Sequence, residues 1–130
     1  MKVVRREEVS AFTTKDGSEI RELLAPRNSE LRNLSLAEAR VEPGGETAEH
    51  FHKSSDEIYY ILEGEGIMRI EGEERKVRPG DAIAIPAGRK HKIKNDGDRD
   101  LIFLCFCAPS YTHEDTIITA PQGRSSQRSS

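Results

Sequence analysis

The sequence has little cysteine and no long hydrophobic run. Its two cysteines, Cys105 and Cys107, lie two positions apart on a predicted strand, where a bond between them is geometrically unfavourable, so we expect buried reduced thiols. The longest apolar stretch, Leu101 to Pro109, is far too short to span a bilayer. The N-terminal sequence MKVVRREEVS contains no apolar core of signal-peptide length. We therefore predict a cytoplasmic protein without a membrane partner.

The chain also lacks a block of one charge sign. Lysine and arginine together number 20 and aspartate and glutamate 23, interspersed along the sequence, for a formal net charge of −3. An electrostatic footprint for nucleic acid is therefore missing, and we expect the partner to be a small molecule. Because charged residues make up 33% of the 130 residues and hydrophobic residues only 35%, the apolar residues must be concentrated in short strands to bury a core.

No helical period competes with a strand pattern in this chain. Short apolar runs recur about every eight to twelve residues, each bounded by glycine, proline, aspartate or asparagine. This rhythm predicts an all-β fold, a small antiparallel sandwich or barrel. The predicted strands are 33–41, 50–52, 57–62, 67–71, 75–77, 81–85, 91–95 and 101–107. A two-residue turn at Gly72 and Glu73 is expected between two of them.

Three histidines and one glutamate are spaced in a way that favours a metal site. His50 and His52 are two apart, so on a strand their side chains leave the same face about 6–7 Å apart, and both can reach one ion. Glu57 and His91 must come from the next strand and a later one, which requires a sheet folded back on itself. Burying four such groups in an apolar barrel would cost on the order of several kcal/mol, which one divalent cation offsets.

The composition of this ligand set indicates an open, catalytic type of centre. Three nitrogens and one oxygen leave one or two positions free on an octahedral metal, where water or substrate would bind. The absence of a cysteine ligand disfavours a purely structural zinc. Manganese, iron, nickel, cobalt, copper and zinc are not distinguished, because geometry and supply decide as much as affinity.

Ten residues, these four among them, fall at fixed spacings in two blocks. The blocks are Gly44, His50, His52, Glu57 and Gly64, then Gly80, Pro86, Gly88, His91 and Asn95. Both match the two motifs of the cupin family without a departure, so residues 44–95 resemble a small single-domain metal-binding cupin. The resemblance implies a jelly-roll barrel, also called a double-stranded β-helix, with one divalent transition metal per chain.

We divide the chain into three parts. Residues 1–30 are predicted as an N-terminal extension that supplies an edge strand or a dimer contact, residues 31–120 as the cupin barrel, and residues 121–130 as a disordered tail. The strand over 57–62 is apolar on both faces, although a monomeric barrel needs only one buried face. Because cupins commonly dimerise sheet against sheet, we expect a homodimer.

Two further residues are candidates for catalysis. Tyr59 shares the face of Glu57, and its phenol could donate a hydrogen bond to a substrate or to that carboxylate, the alternative being a simple core tyrosine. His113 could reach the barrel mouth as an acid or base, the alternative being a solvated turn. Asn95 is expected to cap a turn rather than to bind metal. Five residues are expected to line the pocket: Tyr59, Ile61, Met68, Ile93 and Phe103.

These features predict a metal-dependent enzyme acting on a small polar organic molecule. The metal would serve as a Lewis acid or an oxygen-binding centre, as in dioxygenase-like cupins. The sequence offers few candidates for a general base, which favours chemistry done by the metal itself. Two alternatives stay open: a sugar or sugar-phosphate isomerase-like cupin, and a cupin that binds a small ligand without catalysis.

Overall fold

The computed structural model describes residues 1–120, which form two antiparallel sheets. The strands are β1 (Phe12–Thr13), β2 (Glu19–Leu24), β3 (Ser35–Val41), β4 (Glu49–His52), β5 (Asp56–Glu63), β6 (Gly66–Ile70), β7 (Glu73–Val77), β8 (Ala82–Ile85), β9 (His91–Lys94), β10 (Leu101–Ala108) and β11 (Thr116–Ala120). Two short 3₁₀ helices, Arg6–Glu8 and Pro26–Asn28, precede β3. The tail predicted for residues 121–130 lies outside the described residues.

The two sheets pack face to face as a jelly roll. The first sheet has the strand order β1-β2-β3-β10-β5-β8, and the second has the order β11-β4-β9-β6-β7. Every ladder between these strands is antiparallel. The predicted all-β barrel is therefore confirmed. Within residues 1–120 no helix is long and apolar enough to cross a bilayer.

The core forms where the inward faces of the two sheets meet. On β5, alternate residues Glu57, Tyr59 and Ile61 are buried, as the two-residue period of a strand requires. A fully buried aliphatic or aromatic side chain of this kind contributes about 1.5–3 kcal/mol to folding. The buried core consists of Ala39, Val41, Tyr59, Ile61, Met68, Val77, Ile85, Ile93, Leu101 and Phe103.

The opposite face of β5 is exposed. Ile58, Tyr60 and Leu62 are 47%, 39% and 39% exposed, although all three are large and hydrophobic. Across the ladder to β10, Leu104 lies beside Tyr60 and Phe106 beside Ile58, so the apolar surface continues onto the neighbouring strand. The single chain thus leaves an uncovered apolar strip, here called the β5–β10 strip, on the outer face of the first sheet.

The N-terminal segment is built into the first sheet. Strand β2 pairs with β3, with Ile20 opposite Ala39, and β1 pairs with β2 at the edge. The turn between β1 and β2 is tied to the second sheet, because the backbone N–H of Ala48 donates to the carbonyl of Asp16 at 2.8 Å. Residues 12–24 therefore contribute to both sheets of the barrel, one through strand pairing and the other through this turn.

The turn between β6 and β7 lies one residue earlier than predicted. Its two central residues are Glu71 and Gly72, and Ile70 pairs directly with Glu73. Both central residues have positive φ, 48° and 86°, which is the requirement of the tight hairpin turn that follows the twist of the strands. The prediction of a turn at Gly72 and Glu73 was wrong because glycine takes the second central position of this turn, not the first.

Asn95 connects three backbone segments near the end of β9. Its side-chain amide donates to the carbonyl oxygens of Val41 at 2.9 Å and Arg99 at 2.8 Å, and its Oδ1 accepts from the N–H of Gly97 at 2.9 Å. The residue is fully buried. Its predicted role as a turn residue is confirmed, and it also joins the end of β3 to the connection before β10.

We predict that Asn95→Ala destabilises the fold by about 2–4 kcal/mol, because three hydrogen bonds of this buried side chain are lost at once. Urea unfolding followed by circular dichroism measures the change. Asp98→Ala, an exposed position in the same connection, is the control and is expected to stay within about 0.5 kcal/mol of the unsubstituted protein. A loss below about 1 kcal/mol in Asn95→Ala would contradict the structural role of the side chain.

Candidate metal centre

The three histidines and the glutamate singled out by spacing meet between the two sheets. His50 and His52 lie on β4 and His91 on β9 of the second sheet, while Glu57 lies on β5 of the first. His50 and His91 are direct cross-strand partners. One ring nitrogen from each histidine lies within 4.8 Å of the others, and Glu57 Oε1 is 3.0 Å from His52 Nε2 and 3.4 Å from His91 Nε2. All four residues are buried.

Backbone carbonyls orient two of the imidazoles. Nδ1 of His50 lies 2.8 Å from the carbonyl oxygen of Ala48, and Nδ1 of His91 lies 3.0 Å from that of Arg89. A carbonyl only accepts, so Nδ1 of each ring must carry the proton and donate. Nε2 then holds a free lone pair in the neutral ring, which is the form that binds a metal.

A hydroxyl orients the third imidazole by the same logic. Thr116 Oγ1 donates to the carbonyl of Thr112 at 3.0 Å, so its lone pairs face His52 Nδ1 at 3.1 Å. Nδ1 of His52 therefore donates to the hydroxyl, and its Nε2 also carries a free lone pair. Each of the three rings thus has its outer nitrogen hydrogen-bonded and its Nε2 available as a ligand, which is the arrangement found around metal-binding histidines.

The inward atoms lack partners among the described residues. Nε2 of His52, Nε2 of His91 and Oε1 of Glu57 are buried and make no hydrogen bond of good geometry. Leaving such atoms unsatisfied costs about 1–3 kcal/mol each. Three imidazole nitrogens beside a carboxylate oxygen are a donor set that a divalent transition metal accepts. The group fits a metal ion, and the three histidines could hold one.

Contacts within the group keep the carboxylate ionised. Burial alone would raise the pKa of Glu57, but the close approach of His52 and His91 outweighs it and lowers this pKa to about 2. Burial and the neighbouring His91 lower the pKa of His50. Burial also opposes protonation of His52, yet the contact with Glu57 outweighs it and raises the pKa of that ring. The carboxylate of Glu57 is therefore ionised at neutral pH.

A cavity with about 50 Å³ of room for water, partly open to solvent, adjoins these ligands. His50, His52 and Glu57 form part of its wall, and most of the remaining wall is aromatic or apolar. Apolar and aromatic residues on this wall include Phe12, Ile20, Tyr59, Phe103, Cys105 and Tyr111. Such a cavity, apolar with a few polar groups at one point, is typical of a small-molecule site.

Two of the expected pocket residues line this cavity and three do not. Tyr59 and Phe103 are in its wall, with ring centroids 4.6 Å apart. Ile61, Met68 and Ile93 pack in the hydrophobic core instead. The prediction was wrong for these three because sharing a strand face with a ligand places a side chain inside the barrel, but the barrel interior is solidly packed further along each strand.

The structure treats the two catalytic candidates differently. Tyr59 is buried beside the centre, with its ring 5.9 Å from that of His91, and burial together with the charge of Glu57 raises the pKa of its phenol well above the usual value. Its hydroxyl is therefore a neutral donor. His113 lies in the turn before β11 with an exposed side chain, and it is neither in the histidine group nor in the cavity wall.

Sequence reasoning missed two residues that touch the ligands. Cys107 donates from Sγ to Glu57 Oε2 at 3.4 Å, because the two residues are paired in the ladder between β10 and β5. Asp16, in the turn between β1 and β2, places Oδ2 3.7 Å from His50 Nε2. The sequence predicted Cys107 only as a buried thiol and indicated no functional role for Asp16, since no local pattern links either residue to the histidines.

The chain forms a β-barrel of two sheets, and three imidazoles and one carboxylate converge in its interior. These features define a class of proteins that can hold one metal ion beside a ligand cavity. A family profile described as a cupin domain matches residues 37–107, more than half of the chain. The chain belongs to the cupin family.

Relatives within this family are diverse. An uncharacterized protein of Methanocaldococcus jannaschii is 48% identical over 120 residues, covering 91% of this chain and 96% of its own. The crystal structure of a predicted oxalate decarboxylase from Thermotoga maritima is similar with a TM-score of 0.73 and 30% identity, covering 83% of this chain and 99% of its own. The polyketide cyclase RemF from Streptomyces resistomycificus is similar with a TM-score of 0.76 and 27% identity, covering 92% and 85%.

We predict that His91→Ala loses stoichiometric metal while keeping its fold, because the strand framework does not depend on one ligand. Metal content after dialysis, measured by elemental analysis, and circular dichroism test this. Cys107→Ala, which removes only the donor to Glu57, is expected to weaken metal affinity by about 10-fold.

His113→Ala is the matched control, since it makes the same substitution at an exposed histidine outside the group. It should retain full metal. Equal metal in His91→Ala and His113→Ala would contradict the centre, and unfolding of His91→Ala would show the site to be structural.

Proposed function

We propose that this cupin is a metal-dependent enzyme in which His50, His52, Glu57 and His91 hold one divalent transition metal. The observation that carries the proposal is the convergence of unpartnered Nε2 and Oε1 atoms at one point of the cavity wall. A structural metal needs no adjoining cavity, whereas a catalytic one needs an open side that substrate can reach.

The residues around the candidate metal centre would have separate roles in catalysis. A bound cation would supply Lewis acidity or a place for oxygen, and the ionised Glu57 would balance its charge. Tyr59, whose phenol stays neutral, is placed in the same wall and could donate a hydrogen bond to a bound molecule. Phe103 packs against Tyr59 and with it keeps this side of the cavity apolar, which limits the access of bulk water.

The names of similar proteins support chemistry on small organic molecules. One of the similar structures is described as a polyketide cyclase and another as a predicted oxalate decarboxylase. A dioxygenase-like or Lewis-acid reaction is the candidate we favour, because the exposed His113 offers no support for a histidine general base at the cavity. The identity of the metal is left to the experiment.

We expect protein loaded anaerobically with iron(II) or manganese(II) to consume oxygen, or to convert substrate, when given catechols, flavonols or diketones. An oxygen electrode and chromatography of the products measure this. His50→Ala, which removes a ligand, is the negative control. Tyr59→Phe is expected to lower turnover about 10- to 100-fold if the phenol donates to the reacting molecule.

Stoichiometric metal without oxygen uptake or conversion of any of these compounds would contradict the oxygenase reaction. In that case, binding of a sugar phosphate with turnover would indicate an isomerase. Binding without turnover would indicate a ligand-binding protein. Failure to bind any of the six candidate metals would contradict the proposal as a whole.

We also propose that the protein is a homodimer joined through the β5–β10 strip. The N-terminal 3₁₀ helix contacts the same sheet face at β3, where Arg6 Nη2 lies 2.7 Å from Glu38 Oε2, while Ile58 and Tyr60 of β5 remain exposed. The strip is uncharged at its centre around Tyr60 and Ile58, and a two-fold axis through it would bring identical apolar surfaces together. A second copy of the chain is therefore the occupant that fits.

We predict that Tyr60→Glu converts the dimer to a monomer of 14.6 kDa, because a charge at the centre of an apolar interface would be buried without a partner. Light scattering after size exclusion measures the mass. Arg75→Glu, an exposed substitution on β7 of the other sheet, should leave the dimer intact. A monomeric unsubstituted protein at micromolar concentration would contradict the proposal.

A further inference from the structure

Asp16 is held beside the candidate metal centre by its own turn. Its Oδ1 accepts three hydrogen bonds, from Thr14 Oγ1 at 2.8 Å, from the backbone N–H of Ser18 at 2.9 Å and from Ser18 Oγ at 2.7 Å. No donor is recorded for Oδ2 among the described residues, and this oxygen lies 3.7 Å from His50 Nε2. The carboxylate is thus oriented by one oxygen and presents the other to the cavity.

The turn that carries Asp16 is anchored to two strands of the second sheet. The carbonyl of Asp16 accepts from the N–H of Ala48, just before β4. Lys15 Nζ donates to the carbonyl of Thr116 at 2.8 Å and to that of His113 at 3.2 Å, at the start of β11 and in the turn before it. These hydrogen bonds hold the turn in place beside the candidate metal centre. Asp16 therefore does not lie on an unsupported loop.

Asp16 and Glu57 approach the centre from different sides. Glu57 contacts His52 and His91, whereas Asp16 contacts His50. Among the described residues, the compact ligand group comprises the three histidines and does not include Asp16. The geometry therefore places Asp16 next to the ligands, facing the cavity, where a molecule bound to the metal would meet it.

The charge of the cavity wall selects against anions. The carboxylates of Asp16 and Glu57 line the cavity, and so does Glu22, which is paired with Arg27. Among the described residues, the wall itself contains no lysine or arginine. A dicarboxylate or a phosphate ester would bring two negative charges to this wall without a cationic side chain to pair with them. The proposed metal ion would be the cation facing them, and the carboxylates of Glu57 and Asp16 would largely offset its charge. The rest of the wall is largely apolar and aromatic and includes Phe12 and Tyr111.

We propose that Asp16 is a specificity-determining residue that accepts a hydrogen bond from a hydroxyl group of the substrate. The substrate class that fits is an uncharged, planar, hydroxylated compound, phenolic or enolic, which places one oxygen on the metal and a second O–H on Asp16 Oδ2. The same carboxylate disfavours small dianions such as oxalate and phosphate esters. This inference rests on the proposed metal centre and assigns it a class of ligand.

The test is ligand binding to cobalt(II)-loaded protein, followed by calorimetry and by the visible spectrum of the metal. Catechol is the uncharged hydroxylated probe and oxalate is the dianionic probe. The unsubstituted protein should bind catechol and should bind oxalate at least about 10-fold more weakly. Asp16→Asn keeps Oδ1 for Thr14 and Ser18 but replaces the accepting Oδ2 with a donor, so catechol should bind about 10- to 100-fold more weakly and oxalate more tightly.

Two comparisons make the result decisive. Asp98→Asn applies the same chemical change at an exposed turn and should leave both affinities unchanged. Ser18→Ala, which removes one of the hydrogen bonds that orient Asp16, should weaken catechol by a smaller factor than Asp16→Asn does. This graded response would show that the orientation of the carboxylate matters, not only its charge.

Metal content separates this inference from the proposed function. If unsubstituted protein takes up no cobalt, the metal centre itself fails. If it takes up cobalt but Asp16→Asn does not, Asp16 is a ligand or a folding determinant and the specificity role is overturned. The role is likewise overturned if both proteins hold cobalt and Asp16→Asn binds catechol and oxalate as the unsubstituted protein does.

Discussion

Four polar side chains with lone pairs directed at one another are buried between two apolar sheets, and the rest of the structure accommodates this constraint. Carbonyls before β4 and β9 and a hydroxyl at the start of β11 hold the outer nitrogens of the three imidazoles. Cys107 holds the outer oxygen of Glu57. The surroundings thus satisfy every outward atom and leave the inward ones for a cation, because an unpaired polar atom in such a position is costly.

The N-terminal segment contacts both sheets of the barrel and forms part of the cavity wall. Strand β2 extends the first sheet, and the turn before it crosses to the second sheet, where it places Asp16 beside His50. One short segment therefore contributes to the core, to the cavity wall and to the charge of the site. This arrangement joins an apolar wall to a carboxylate-rich point, and such a combination discriminates between ligands by charge as well as by shape.

The first sheet has different surroundings on its two faces. Glu57, Tyr59 and Ile61 point into the barrel and are buried, while Ile58 and Tyr60 point out and are exposed. Apolar residues on both faces of one strand indicate that both faces need to be covered, and the core covers only one of them. The face that carries the candidate metal centre and the exposed apolar face are thus separate, so the proposed binding inside the barrel and the proposed contact between copies need not compete.

Local pattern was sufficient to predict the strands from β3 to β10, the all-β fold and the faces of His50, His52 and Glu57, since alternation along a strand is decided by adjacent residues. The spacing of the two motifs also predicted that His91 lies with these three residues. Local pattern did not predict β1, β2 and β11 as defined strands. Local pattern could not separate Tyr59 and Phe103, which line the cavity, from Ile61 and Ile93, which fill the core, because depth along the barrel depends on how the sheets close. Asp16 and Cys107 reach the ligands through chain crossing and strand register, and contacts of that kind between distant segments are decided only when the tertiary structure forms.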